Sequence, residues 1–169
     1  MLKLTAALAA LALAACASSP QPQPAAFTPR LTTPRLAPID KSKATPEQAA
    51  MLASRQDMNI YKTLAHHPQL YAKWSPLGQF LLNGSSLPPR HREMAMLRMG
   101  WLCQAPYEWS AHARIAQQSA GLTAADVHAI AEGPKAKSWS ELDRAVLQMA
   151  DDLRNDAMIS DKTWAALHK

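Results

Sequence analysis

The chain has 169 residues and a formal net charge of +5; 48% of its residues are hydrophobic and 18% are charged. This length suits one domain with a buried core, and the basic residues are interspersed with acidic ones rather than forming the stripe that a nucleic-acid surface requires. With only two cysteines, the sequence also excludes a scaffold built on several disulfides.

The N-terminus has the pattern of an export signal. A basic residue, Lys3, precedes an apolar Leu/Ala run over residues 4–15, and Cys16 follows. The run is too short to span a bilayer and is typical of the core of a secretion signal. The sequence before Cys16 resembles the lipobox of bacterial lipoproteins, which implies removal of residues 1–15 and acylation of Cys16. The alternative is an ordinary signal followed by an incidental cysteine.

If Cys16 carries lipid, the protein is anchored to a membrane. We therefore expect it in the bacterial cell envelope, on the periplasmic face of the outer membrane. The next segment, residues 16–44, is rich in proline, which favours extended chain and predicts a disordered tether between lipid and domain. Its repeated TPRL sequence, at 28–31 and 33–36, leaves open a docking element or an arm over a neighbouring subunit.

Residues 45–169 are predicted to form one compact all-α domain of six to eight helices. Thr45, Thr123 and Ser138 each stand three residues before a Gln, Asp or Glu, which is the pattern of a helix N-terminus. No run of alternating β-branched residues indicates a strand. The predicted helices lie near residues 46–54, 57–65, 68–82, 88–102, 106–120, 123–132, 139–155 and 160–168.

The helix at 88–102 is apolar around most of its circumference, so we expect it at the centre of the domain or beneath another subunit. It nevertheless carries Glu93. The next helix carries Glu108 and His112, which are four residues apart and can touch on one helical face. Acids and an imidazole in an apolar setting are either mutually satisfied or tuned for proton transfer.

Cys103 has no partner for an intramolecular disulfide if Cys16 is acylated. We expect it to be a small buried hydrophobic side chain, with an intermolecular disulfide or a reactive thiol as alternatives. The histidines lack the spacing of metal ligands, so the sequence predicts no metal site, and nothing in it calls for a cofactor.

Five segments between about residue 61 and residue 167 resemble, in order and spacing, the carboxymuconolactone decarboxylase superfamily. They are IYKTLAHHPQLYAKW, REMAMLR, YEWSAH, GLTAADVHAI and WSELDRAVLQMADDL. The resemblance implies the compact helical fold of that superfamily and of its alkylhydroperoxidase D branch. It also implies a homo-oligomer, a trimer or hexamer, with sites close to subunit interfaces.

The peroxidase branch has a glutamate, a C-x-x-C pair and a histidine at fixed spacing. Glu93 and His112 match the two ends of this pattern, but Ala105 and Glu108 stand where the cysteines would be. A disulfide-cycling peroxidase needs both thiols, so hydroperoxide reduction is the least favoured function.

The decarboxylase branch has an E-x-x-x-H pattern that resembles Glu108 to His112. The resemblance implies proton-transfer chemistry on a small carboxylated or lactone substrate, by a decarboxylase or related lyase or isomerase. His112 would act as acid and base, with Glu108 or Glu93 orienting it. The candidates for substrate binding are Tyr107, Trp109 and the arginines Arg90, Arg92 and Arg98, whose guanidinium groups suit carboxylates.

Two alternatives remain open. Glu93 is equally suited to be a buried structural partner of Arg98 or Arg114, and Tyr107 and Trp109 to be core or pocket wall. The domain as a whole is also compatible with a non-catalytic, lipid-tethered binding or assembly module that keeps an enzyme's fold.

Overall fold

The computed structural model describes residue 27 and residues 31–169, and this part of the chain contains eight α-helices and no strand. The helices are α1 (Pro46–Ala53), α2 (Asn59–Leu64), α3 (Pro68–Gln79), α4 (Pro89–Leu102), α5 (Pro106–Ser119), α6 (Ala124–Glu132), α7 (Glu141–Asp156) and α8 (Asp161–Leu167). A π-helical turn, Phe80–Gly84, continues α3, and a 3₁₀ turn, Lys41–Lys43, precedes α1. The all-α prediction is confirmed.

The predicted export signal, residues 1–15, and the predicted lipidation site, Cys16, lie outside the described residues. None of the helices in the described part of the chain has the length and apolar character needed to cross a membrane.

Helix α4 is the central helix of the domain. It packs mainly against α5 and α7 and, over a smaller area, against α6. Met94 and Leu97 on α4 are fully buried and join Leu147 of α7 and Ile130 of α6 in one core cluster. Burying each such side chain contributes about 1.5–3 kcal/mol, which explains why apolar residues cover most of the circumference of α4.

A buried arginine joins α4 to α6 and α7. Arg98 Nε and Nη2 donate to the two carboxylate oxygens of Asp151 at 2.6 and 3.1 Å, and Nη1 donates to the carbonyls of Ile130 and Ala131 at 3.1 and 2.8 Å. The next turn needs a glycine, since a Cβ on Gly133, where φ is +92°, would stand 2.6 Å from Arg98 Nη2. The end of α6 is thus built around this guanidinium group.

A second polar cluster ties the N-terminal ends of α4 and α7. Arg90 Nε and Nη2 donate to the carboxylate oxygens of Asp143 at 3.4 and 3.2 Å, and His91 Nε2 lies 3.3 Å from the same carboxylate. Burial alone raises the pKa of Asp143, but the hydrogen bonds and charge of Arg90 bring it below its usual value. His91 is therefore part of the network that joins α4 to α7.

Helices α1 to α3 form an arm beside this core, in which α3 packs chiefly against α1, α2 and the π-helical turn. The outer side of α3 and the π-helical turn carries five large apolar side chains that are 43–57% exposed: Leu70, Trp74, Leu77, Phe80 and Leu81. We call these five residues the apolar arm face. Soluble monomers rarely leave such a patch uncovered.

The end of the predicted tether lies against the domain. The backbone N–H of Ile39 donates to the carbonyl of Lys62 on α2 at 3.2 Å. The ring of Phe27 packs edge-on against Trp101, with their centroids 5.2 Å apart. The folded unit therefore includes residues N-terminal to the boundary predicted at residue 45, and part of the segment expected to be a disordered spacer is packed.

Candidate active site

Glu93 of α4 and His112 of α5 meet in the buried interface between these two helices. Glu93 Oε2 lies 2.7 Å from His112 Nδ1, and the side chains of Glu93 and His112 are 1% and 11% exposed. Because an ionised carboxylate can only accept, Nδ1 is the donor. In the neutral imidazole this leaves a free lone pair on Nε2.

The other ring nitrogen faces Glu108. His112 Nε2 lies 3.8 Å from Glu108 Oε2, one helical turn away on α5, which is the contact predicted from their spacing. The distance is that of an ion pair rather than a hydrogen bond. Glu108 lies in the first turn of α5, where the helix dipole stabilises an acid, and its side chain is 46% exposed. Nε2 therefore lies on the side of the ring that faces a half-exposed acid.

Arg92 supports Glu93 from the side opposite to His112. Its Nε donates to Glu93 Oε1 at 3.1 Å, and its Nη1 donates to the carbonyl of Leu82 at 2.6 Å. Burial alone raises the pKa of Glu93, but hydrogen bonds and charge from His112 and Arg92 outweigh this and hold the pKa below its usual value. Glu93 is thus an ionised carboxylate inside the domain.

A sequence model of the carboxymuconolactone decarboxylase family matches residues 68–152, which is 85 of the 169 residues. The chain belongs to this family. The match extends from α3 into α7 and contains Glu93, Glu108 and His112. No curated protein and no solved structure gives a significant match to the chain.

Arg90 and Arg98 were expected to bind substrate, but each forms an ion pair within the domain. Arg98 is 7% exposed and holds Asp151 and the end of α6, and Arg90 holds Asp143. Their hydrogen bonds lead to α6 and α7 rather than to His112. Binding a substrate carboxylate would require either arginine to give up an internal ion pair, which for Arg98 is buried.

The two aromatic candidates have different surroundings. Trp109 is 6% exposed and packs against Trp101 with their centroids 5.5 Å apart, so it belongs to the core. Tyr107 is 42% exposed, and its hydroxyl accepts a hydrogen bond from the backbone N–H of Ile60 at 3.2 Å. The sequence placed both on the helix that carries the site, but only Tyr107 is open to solvent.

Tyr107 lines an open cleft of about 340 Å³ between α5 and the turn before α2. Its lining residues are Asp57, Met58, Asn59, Tyr107, Ser110, Ala111 and Arg114. Positions 107, 110, 111 and 114 share a face of α5 that points away from His112. The cleft is therefore separate from the Glu93–His112 pair.

Cys103 is exposed, whereas the sequence predicted a buried side chain. It caps the C-terminal end of α4, where the helix leaves the core, and its Sγ lies 3.7 Å from the sulfur of Met99. The prediction was wrong because the apolar character of α4 extends beyond the buried part of the helix.

Among the described residues, no group of three or more His, Cys, Asp or Glu side chains is arranged to hold a metal ion. The site itself consists of an imidazole held between two carboxylates, one buried and one half-exposed. That arrangement is suited to moving a proton.

Proposed function

We propose that this protein catalyses proton transfer on a small carboxylated or lactone substrate, as a decarboxylase or a related lyase or isomerase. The observation that carries the proposal is the 2.7 Å contact between Glu93 and His112 Nδ1, which leaves Nε2 directed towards the half-exposed carboxylate of Glu108. A carboxylate behind one ring nitrogen fixes the tautomer of the imidazole and stabilises its protonated form. Membership of the carboxymuconolactone decarboxylase family supports the same class of reaction.

In the proposed reaction, His112 Nε2 takes the proton from a carbon next to a carbonyl group, and the electron pair of the C–H bond moves to the carbonyl oxygen as an enolate. In a decarboxylation His112 begins as the imidazolium: the C–C bond to the carboxylate breaks, its electron pair stays on the substrate as a carbanion, carbon dioxide leaves, and Nε2–H gives its proton to that carbon. Glu93 stabilises the imidazolium in both cases because it is ionised and buried beside Nδ1. Glu108 lies close enough to orient the N–H of protonated Nε2.

We propose that the protein works at the cell envelope as a lipid-anchored homo-oligomer. The lipobox-like sequence at Cys16 supports the anchor and the placement on the periplasmic face of the outer membrane. The apolar arm face supports the assembly, because a second copy of the chain would cover it.

The homo-oligomer can be tested with charges on the apolar arm face. The double change Leu77→Glu and Phe80→Glu places two carboxylates among side chains that an interface would bury, so we expect the assembly to dissociate into monomers, measured by light scattering after size exclusion. Ala72→Glu is the matched control, since Ala72 is exposed on the opposite side of α3. A wild-type monomer, or a double variant that stays assembled, would contradict this interface.

The catalytic proposal can be tested with a soluble form that begins after Cys16, screened against lactones, β-keto acids and hydroperoxides. We expect one of the first two classes to be consumed, and His112→Ala to lower the rate by about 10²–10⁴-fold, as removal of a general base does. His128→Ala is the matched control, since His128 pairs with Glu132 one turn away at 3.3 Å but is half-exposed. If His112→Ala turns over the substrate as fast as wild type does, the proposed base is wrong.

The same screen tests the thiol alternative. We expect Cys103→Ala to leave any consumption of hydroperoxide in the presence of a dithiol unchanged, because the positions of the C-x-x-C pair are Ala105 and Glu108. A large loss would restore a peroxidase function through the exposed Cys103.

A second candidate function is that of a non-catalytic assembly or binding module. Two observations favour it: the apolar arm face is exposed, and the side chain of His112 is only 11% exposed. Assembly without consumption of any substrate class in the screen would support this candidate over the enzyme.

A further inference from the structure

The π-helical turn at the end of α3 leaves backbone carbonyls without helical partners, as the last turn of any helix does. The hydroxyl of Ser85 donates to the carbonyl of Leu81 at 3.2 Å. Arg92 Nη1 donates to the next carbonyl, that of Leu82, at 2.6 Å. The second contact ties the arm to α4, and it is made by a side chain that is only 18% exposed.

The same guanidinium group also donates a hydrogen bond to Glu93 in the candidate active site. Its Nε donates to Glu93 Oε1 at 3.1 Å, while the other oxygen of that carboxylate accepts from His112 Nδ1 at 2.7 Å. One planar group therefore joins a backbone carbonyl of the arm to the carboxylate that holds the imidazole. A guanidinium group has donors that diverge from a rigid fork, whereas a lysine ammonium is a single point of charge on a flexible stem.

We propose that Arg92 is a positioning residue, which fixes the Glu93 carboxylate against the carbonyl of Leu82 and thereby sets which nitrogen of His112 carries the proton. With Arg92 in place, both oxygens of Glu93 are hydrogen-bonded, and the carboxylate presents Oε2 to Nδ1. Without Arg92, Oε1 would lose its donor inside the domain, and the carboxylate would turn or take up a proton to satisfy it. Either change lowers the fraction of neutral His112 that carries its proton on Nδ1.

This inference rests on the proposed function for its catalytic meaning, because Nε2 can act as a base only while the proton of the neutral ring sits on Nδ1. It also gives the arm a role in the site, since the carbonyl of Leu82 belongs to the same segment as Phe80 and Leu81 of the apolar arm face.

The test measures the tautomer of His112 directly, from the ¹⁵N chemical shifts of its ring in full-length protein with labelled histidine, above the pH at which the ring is protonated. In the wild type we expect the Nδ1–H form to dominate. In Arg92→Gln we expect the ratio of the Nδ1–H to the Nε2–H form to fall about tenfold, because a hydrogen bond to a charged group is lost. In Arg92→Lys, which keeps the charge but cannot reach both acceptors, we expect a smaller fall.

Arg144→Gln is the matched control. Arg144 also donates to backbone carbonyls, those of Pro134, Ala136 and Trp139, but none of these bonds leads to His112. We expect this variant to lose stability and to keep the wild-type tautomer ratio. An unchanged ratio in folded Arg92→Gln would overturn the proposal, as would an equal fall in Arg144→Gln. If Arg92→Gln does not fold, an unchanged ratio in Arg92→Lys overturns it.

No substrate enters this measurement. The positioning role of Arg92 can therefore fail while His112 remains the base in the substrate screen, and the catalytic role of His112 can fail while Arg92 still sets its tautomer.

Discussion

Replacing Arg98 by alanine is expected to lower the free energy of unfolding by about 3–5 kcal/mol, because it removes one partner of a buried ion pair. The change leaves the Asp151 carboxylate, whose side chain is 16% exposed, without its bidentate donor. It also leaves the carbonyls of Ile130 and Ala131 without the hydrogen bonds that Arg98 Nη1 supplies. Three helices, α4, α6 and α7, lose a shared contact.

Denaturant unfolding of Arg98→Ala and of Arg114→Ala measures this effect. Arg114 is exposed, so its replacement is expected to change the free energy of unfolding by no more than about 0.5 kcal/mol. Arg98→Lys should fall between the wild type and Arg98→Ala, since lysine keeps the charge but not the fork of donors. A loss below about 1 kcal/mol in Arg98→Ala would mean that Asp151 and the two carbonyls find other partners.

The sequence predicted the helices well because their start signals are local. The capping boxes at Thr45 and Thr123 both form, with the side chains of Gln48 and Asp126 bound back to the cap residues. The start of α7 was placed too early, since Ser140, rather than Ser138, accepts from the backbone N–H of the residue three positions later. Both serines precede an acid by three residues, so local sequence gives no way to choose between them.

Tertiary packing supplies the missing preference at α7. Trp139, which lies between the two serines, is 6% exposed, and its indole N–H donates to the carbonyl of Gly133 at 3.1 Å. With Trp139 in this position, α7 begins two residues later, at Glu141.

The sequence did not predict the π-helical turn. The apolar spacing of residues 68–82 fits a regular helix and carries no sign of the wider turn at Phe80–Gly84.

The candidate site was predictable only in part. The contact between Glu108 and His112 follows from a four-residue spacing on one helix. The pairing of Glu93 with His112 joins two helices and was anticipated only through the resemblance to the family pattern. The structural alternative for Glu93 paired it with Arg98 or Arg114, but the arginine that donates to it is Arg92, the residue immediately before it. Adjacent residues on a helix do not normally face one another, so no pattern indicated this pair.

Among the residues of the candidate site, Glu93 is the one whose replacement is expected to lower the free energy of unfolding most. Glu93→Ala removes the buried partner of both His112 and Arg92, and we expect a loss of about 3 kcal/mol in the free energy of unfolding near neutral pH. Glu93→Gln keeps the volume and one acceptor oxygen, so its loss should be smaller, about 1–2 kcal/mol. Urea denaturation at several pH values measures both.

The dependence of this loss on pH identifies the charge as its cause. The pKa of Glu93 is lower in the folded protein than its usual value of about 4.3, so the ionised carboxylate stabilises the fold above that pH, and this stability is lost as pH falls through the folded pKa. The difference between wild type and Glu93→Gln should therefore shrink as pH falls below about pH 4. Glu132→Gln, at an exposed glutamate, is the control that should show little difference. Curves for wild type and Glu93→Gln that stay parallel down to low pH would mean that Glu93 is held by shape and hydrogen bonding rather than by its charge, and His112 would then lack the anion that the proposed reaction assigns to it.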